Sequence, residues 1–254
     1  AFDDSGSADD DTPGIPSPIA SMKRLIDEDP KNAEIIFPFI GGEEVNSSPT
    51  HANHRYVINF GERTEEECRT EWPKLMDIVE RKVRPARQAQ NREIRRRYWW
   101  RFGETCPALY EAISGYERVL AIARVSQSFG FAVLSSDQVF SEQLIIICLA
   151  SNLFFPILQS TVHEIWAKFF SSSFGDGLRY SPSDCLRTFP LSGLMLKSAA
   201  TDILAKSTQE NLEDIGEKYL KFRAELMVNN DEGLTSTYNR FHDPAETSNG
   251  LLKL

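Results

Sequence analysis

The chain lacks the local marks of catalysis, of membrane insertion and of covalent cross-linking, and each absence closes off a class. Nowhere in its 254 residues is there a GxGxxG, a P-loop, a GxSxG or an HExxH. Dinucleotide binding, P-loop hydrolysis, serine-elbow chemistry and zincin chemistry therefore have no signature here. The four cysteines, Cys68, Cys106, Cys148 and Cys185, form no CxxC pair. That spacing gives neither a zinc knuckle nor a disulfide framework, and a cytoplasmic location is expected. No apolar run approaches the ~18 residues of a membrane span. Leu144–Ala150 and Leu153–Leu158 are separated by Ser151-Asn152, and the second contains Pro156. His51-Ala52-Asn53-His54 has a metal-like look, but no acid or cysteine completes it at ligand spacing, so a polar loop is expected and no metal. The chain opens Ala1-Phe2-Asp3 with neither an initiator methionine nor a signal sequence, and is expected to be a piece of a longer protein.

What the chain does have is an uneven distribution of charge. Its formal net charge is −9. Residues 81–101 hold nine Lys/Arg against one acid, Glu93, so this window carries +8 and the remainder −17. The same window ends in Tyr98-Trp99-Trp100. Basic side chains displace phosphate counterions and aromatic faces stack on bases or sugars, so the window suits a nucleic-acid surface. The alternative is a helix with one solvated face, ion-paired to the chain's many acids.

The expected fold is α+β: a mixed or mainly antiparallel sheet flanked by helices, with a long C-terminal helix. Residues 1–18 are rich in Asp, Ser, Gly and Pro and suit a flexible acidic linker. Residues 19–190 suit the main α+β domain, and 191–254 a C-terminal helix and tail packed on it. Within the main domain, Glu34–Ile40 and Arg55–Phe60 suit strands joined by a Gly41-Gly42 turn and a polar loop, Glu43–His54. Thr64-Glu65-Glu66-Glu67 is a capping-box start for a helix interrupted near Trp72-Pro73. A second helix is predicted over 85–102, with Arg92, Arg95 and Arg96 on one face. Strands over 118–124, 129–134, 139–140 and 144–149 are close enough for antiparallel connections. A helix over 152–170 with Leu153, Ile157, Val162, Ile165, Trp166 and Phe169 near helical spacing, then a Gly/Ser loop over 171–177, follow. Leu212, Ile215, Tyr219, Phe222 and Leu226 form a 3-4-3-4 seam on the last long helix.

Taken in order, several segments resemble the C-terminal target-recognition region of adenine-N6 DNA methyltransferases, of the type IIG restriction-modification and phage-defence kind. They are Ile36–Val45, His54–Phe60, Lys82–Arg87, Tyr98-Trp99-Trp100, Arg118–Ser126, Ser141-Glu142-Gln143, Leu158-Gln159-Ser160, Arg179–Pro190 and Tyr238–Pro244, about residues 30–245 in all. The resemblance implies a non-catalytic DNA-recognition domain. S-adenosylmethionine and the catalytic Asn/Asp-Pro-Pro-Tyr/Phe loop would lie in a covalently linked methyltransferase domain. No such loop occurs here: Asp29-Pro30 and Asp243-Pro244 are followed by Lys and Ala. No catalytic residue is assigned and no cofactor is expected in this chain. Double-stranded DNA is the expected partner, with other defence-system subunits as further candidates.

For phosphate contact the candidates are Lys82, Arg84, Arg87, Arg95, Arg96, Arg97 and Arg101, with Arg55 after the polar loop. For base readout they are Arg124, Ser126 and Gln127, at a strand end and turn. Ser173, Arg179 and Tyr180, around the late Gly/Ser loop, complete the set. Each has an ordinary alternative: ion-paired surface, hairpin turn or, for Tyr180, a core position. Of Trp99 and Trp100, one is expected in the core and one near the interface. A protein-interaction module using the 212–226 seam is the competing function; a metal-dependent nuclease would need clustered carboxylates that the predicted elements do not supply.

Overall fold

The computed structural model describes residues 1–5, 12, 14–103, 105–148, 152–174, 177–190 and 206–247. In chain order the elements are β1 (Phe2–Asp3), β2 (Ser17–Pro18), α1 (Ile19–Glu28), β3 (Ile36–Ile40), α2 (Gly42–Ser47), β4 (Arg55–Ile58), α3 (Glu65–Glu71) and α4 (Pro73–Lys82). Then come α5 (Arg84–Gln88), α6 (Glu93–Arg97), α7 (Pro107–Ile113), β5 (Arg118–Ala123), β6 (Val125–Ser126), β7 (Ala132–Ser135), β8 (Val139–Phe140) and β9 (Leu144–Ile147). The last are α8 (Phe154–Gln159), α9 (Thr161–Phe170), β10 (Ser172–Phe174), β11 (Gly177–Arg179), α10 (Lys206–Asn230) and α11 (Leu234–Phe241). Mixed helices and strands with a long C-terminal helix are what the sequence predicts.

The chain divides into two compact units. The first comprises Ala1–Phe39, Asn53–Ala112 and Asp137–Val139; the second comprises Ile40–Ala52, Ile113–Ser136 and Phe140–Leu254. Residues 191–205 of the expected C-terminal segment lie outside the described residues.

In the first unit, β1 lies between β2, to which it is parallel, and β4, which pairs antiparallel with β3. The expected linker therefore supplies two strands, and Phe2 is fully buried. The reason is apolar: Phe2 joins Met22, Leu25, Ile35, Phe60, Trp72, Leu75, Trp99 and Trp100 in one core. The capping box forms as the sequence predicts. Thr64 Oγ1 accepts from the Glu67 N–H at 3.2 Å and Glu67 Oε2 accepts from the Thr64 N–H at 2.7 Å, which satisfies two otherwise orphaned donors. The helix breaks at Trp72, whose indole N–H donates to the Lys31 carbonyl at 3.0 Å.

In the second unit β5 is the centre of an antiparallel sheet ordered β7-β5-β9. A second small sheet is ordered β10-β11-β6. The expected Gly/Ser loop is largely the β10–β11 hairpin, and the expected polar loop 43–54 begins with α2, started by the Glu44 carboxylate accepting the Gly41 N–H at 2.9 Å. The helix expected over 152–170 is broken at Ser160, which ends α8 and caps α9 by accepting the His163 N–H at 3.3 Å. That break changes which face turns inward. His163, Glu164 and Ala167 are buried, while Val162, Ile165 and Phe169 are exposed at 68%, 63% and 79%.

The long helix α10 buries the predicted seam only in part. Ile215 is exposed, whereas Gly216, Arg223 and Met227 are buried. Gly216 is the reason for this approach: a Cβ there would lie 2.3 Å from the Asn152 carbonyl oxygen and 3.0 Å from Pro156 Cδ. Two turns on, the Arg223 guanidinium is accommodated in the interior by donating to the Phe131 carbonyl at 2.7 Å and to the Tyr238 hydroxyl at 3.0 Å. A buried cation is tolerated when its donors are satisfied in this way. The seam residues are thus mostly drawn into the second unit's own packing, and the interaction-module reading loses its surface.

Candidate nucleic-acid interface

The basic window is not one helix. α5 and α6 are separated by a turn over 89–92, which is tied by Arg96 Nη1 donating to the Gln90 carbonyl at 3.2 Å and Gln88 Nε2 donating to the Arg96 carbonyl at 3.4 Å. The i, i+3, i+4 face expected through Arg92 is therefore interrupted. The segment is anchored at its end by two tryptophans, both in the core: Trp99 is 3% and Trp100 8% exposed. The division of one inward and one outward does not occur, because Trp100 has a partner for its indole N–H inside, the Arg63 carbonyl at 3.1 Å. Buried indoles fix the backbone from which the arginines project.

The charges of this surface fall into two groups. Toward its N-terminal side they are neutralised: Arg69 pairs with Glu65 and Glu80, Lys74 with Glu28, Arg81 with Asp77, and Arg84 with Glu80. Arg84 also lies over Trp99, at 5.0 Å from the ring centroid. Lys82 is half-buried and donates to the Ile15 carbonyl at 3.3 Å. These two predicted residues have structural duties.

From Arg87 onward the picture changes. Among the described residues, no carboxylate lies within ion-pair distance of Arg87, Arg92, Arg95, Arg96, Arg97 or Arg101. Arg87 is half-buried, and burial together with the nearby Arg95 guanidinium lowers its proton affinity from the usual arginine value. Like charges gathered without a counter-charge destabilise the protein that holds them and are relieved by a bound anion. Arg96 and Arg97 are exposed; Arg97 sits at 5.5 Å over Tyr98. Arg101 is half-buried, stacks at 4.6 Å over Tyr98 and donates to the Glu62 carbonyl. Arg55 lies in β4 with its guanidinium 5.0 Å over the Phe39 ring. Arg92 is exposed at the start of α6 and belongs with this group; the sequence signal for it was the charge density of the window itself.

The second unit brings together Arg124, Gln127 and Arg179, all exposed on or beside the β10-β11-β6 sheet. Arg124 is at a corner where the chain leaves β5 for β6. Its N–H donates to the Gln143 carbonyl at 2.7 Å, its carbonyl accepts the Tyr180 N–H at 2.9 Å, and its side-chain Nε donates to the Glu142 carbonyl at 3.1 Å. The residue is otherwise exposed.

Two expected contact residues are internal. Ser126 is buried, its hydroxyl accepting the Ser128 N–H at 3.2 Å and closing the turn. Tyr180 is 1% exposed, and its hydroxyl meets His163 Nε2 at 3.3 Å while His163 Nδ1 meets the Leu158 carbonyl at 2.8 Å. Burial pushes the Tyr180 phenol up and the His163 imidazole down, so both are neutral, and the pair stabilises the core. Their alternation explains the outcome: Leu178, Tyr180 and Ser126 face the apolar layer of Phe129 and Phe131. Ser173 lies in β10, in register with Leu178. Among the described residues, no three His, Cys, Asp or Glu side chains converge as metal ligands would, and no helix is long and apolar enough to cross a membrane.

An α+β scaffold that holds arginines beside buried aromatic anchors, with no carboxylate at ion-pair distance among the described residues, suits a recognition module for a polyanion. The family model of the MmeI target recognition domain matches residues 18–193, and the chain belongs to that family. As a member it is a DNA sequence-recognition domain of the kind found in restriction-modification enzymes. Among solved structures it is similar to one described as the type IIL restriction-modification enzyme MmeI in complex with DNA, with a TM-score of 0.66 and 19% identity. The match covers 92% of this chain and 28% of that one, so the chain spans under a third of its length. No curated protein matches the chain.

Proposed function

We propose that this chain grips double-stranded DNA with the arginines of its first unit and reads bases with polar side chains of its second. It would serve a covalently linked methyltransferase that modifies adenine at N6 with S-adenosylmethionine in a restriction-modification system. The observation that carries this reading is the contrast within one surface: Arg69, Arg81 and Arg84 have carboxylate partners, whereas Arg87, Arg92, Arg95, Arg96, Arg97 and Arg101 have none among the described residues. A solvated, stabilising helix face would be paired throughout. Arginines left without acids await an anion, and the phosphate backbone is a regular array of them.

Division of labour follows from the geometry of each unit. Arg96 and Arg97, exposed on a short helix, suit phosphate contacts that position without specifying. Arg124, exposed and tethered through Nε, suits bidentate contact with guanine O6 and N7 through its terminal nitrogens. The test is binding of the chain to a pool of randomised duplexes, with enrichment of a consensus expected. A flat, unenriched pool with normal retention would refute sequence reading; no retention at low salt would refute DNA binding altogether.

A further inference from the structure

The β10-β11-β6 sheet has one face turned to the core and one turned to water, and the wet face carries an apolar residue. Register places Ser172 opposite Arg179 and Arg179 opposite Val125. Residues directly opposite one another project from the same face of an antiparallel sheet. All three are exposed, Val125 at 42%. On the other face, Ser126 is buried and Leu178 packs against the second unit's core. A branched aliphatic side chain is thus exposed directly across the sheet from Arg179, with Arg124 preceding it in the chain. Neither arginine has a carboxylate at ion-pair distance among the described residues. Gln127, two residues on, is exposed as well.

The major groove of B-DNA admits a two-stranded β-ribbon, and the one apolar group it presents is the thymine C5-methyl. Paired strands lie about 4.8 Å apart, well within that groove. We propose that the β6–β11 ribbon enters the major groove, that Val125 packs on a thymine methyl, and that Arg179 beside it takes a guanine in a neighbouring base pair. The assignment rests on the DNA-recognition reading and adds the residue that discriminates an A·T pair. Val125 was not among the residues singled out by charge, because an isolated exposed valine has no sequence signature.

The experiment begins with the consensus duplex enriched by the wild-type chain, in which each thymine in turn is replaced by uracil, which removes only the methyl. One position is expected to lose about fourfold in affinity, the worth of one buried methyl. Val125→Ala should bind the thymine and uracil duplexes at that position equally, and Val125→Thr, which keeps a methyl group, should retain a preference. Arg179→Ala should lose preference for guanine at a neighbouring pair, with each variant's urea midpoint unchanged. If Val125→Ala keeps the full uracil effect, or no uracil position matters, the assignment of Val125 is overturned while the recognition reading stands. If the wild-type chain enriches no consensus at all, both fail together.

Discussion

The paired and the unpaired arginines of the first unit should behave differently toward salt, and the difference can be worked out in advance. In Arg96→Ala/Arg97→Ala two exposed guanidinium groups are removed, neither within ion-pair distance of a described carboxylate. Each phosphate contact contributes about 0.9 to the slope of log K against log salt, so the double variant should show a slope shallower by about 1.8. Across a rise from about 50 to about 200 mM salt, the wild-type affinity should then fall roughly twelvefold more than the variant's. The control is Arg81→Ala/Arg84→Ala, which also removes two positive charges. Those side chains are held by Asp77 and Glu80, so few counterions are displaced by them and the slope should scarcely move. Fluorescence anisotropy on one duplex at four or five salt concentrations measures both. Equal slope changes in the two variants would refute the reasoning, since net charge rather than available charge would then govern binding. Both variants should lose no more than about 1 kcal/mol of unfolding free energy, the worth of an exposed ion pair or hydrogen bond.

Other outcomes are expected of the scaffold. Gly216→Ala should destabilise the second unit by about 1–3 kcal/mol in urea melts despite alanine's better helix propensity, because its Cβ would meet the Asn152 carbonyl at 2.3 Å; a neutral or stabilising result would show that α10 moves freely. Burial, with the Arg223 guanidinium nearby, pushes the His51 imidazole down to about 4. Its folded value is below its unfolded one, so stability is full above about pH 6.5 and falls as pH drops toward about 4. His51→Asn, which suits the left-handed φ of 53° at that position, should reduce the loss between pH 7.5 and pH 5 by on the order of 1–2 kcal/mol; an unchanged loss would assign it to other groups such as His163. Tyr180→Phe should cost about 1 kcal/mol of stability by leaving His163 Nε2 without its partner, with DNA affinity unchanged. A large loss of affinity at unchanged stability would instead restore Tyr180 to the contact surface.

The local elements were largely legible, and so was the family. The Thr64–Glu67 box and the break at Trp72-Pro73 are set by side chains within one turn of each other. Strands 36–40 and 55–58 follow from apolar runs that any sheet would bury. The concentration of positive charge in 81–101 is a property of the sequence alone. By contrast, Ser126 and Tyr180 had the right chemistry for contact and the wrong side of a strand, and strand register fixes a side. The inward face of α9 does not follow from the apolar spacing over 152–170, because one capping serine ends α8 and restarts the helix as α9.

The sequence by itself therefore determined the class: the charge imbalance, the lack of catalytic motifs and the order of segments are intrinsic to the chain. Only the tertiary structure decided which charges are available, because pairing is a matter of distance between residues that composition cannot supply. Arg84 and Arg96 share one basic run, although Arg84 has Glu80 four residues before it and Arg96 has Arg92. In the fold one lies against Glu80 and Trp99, and the other projects from a short helix with no carboxylate at ion-pair distance among the described residues.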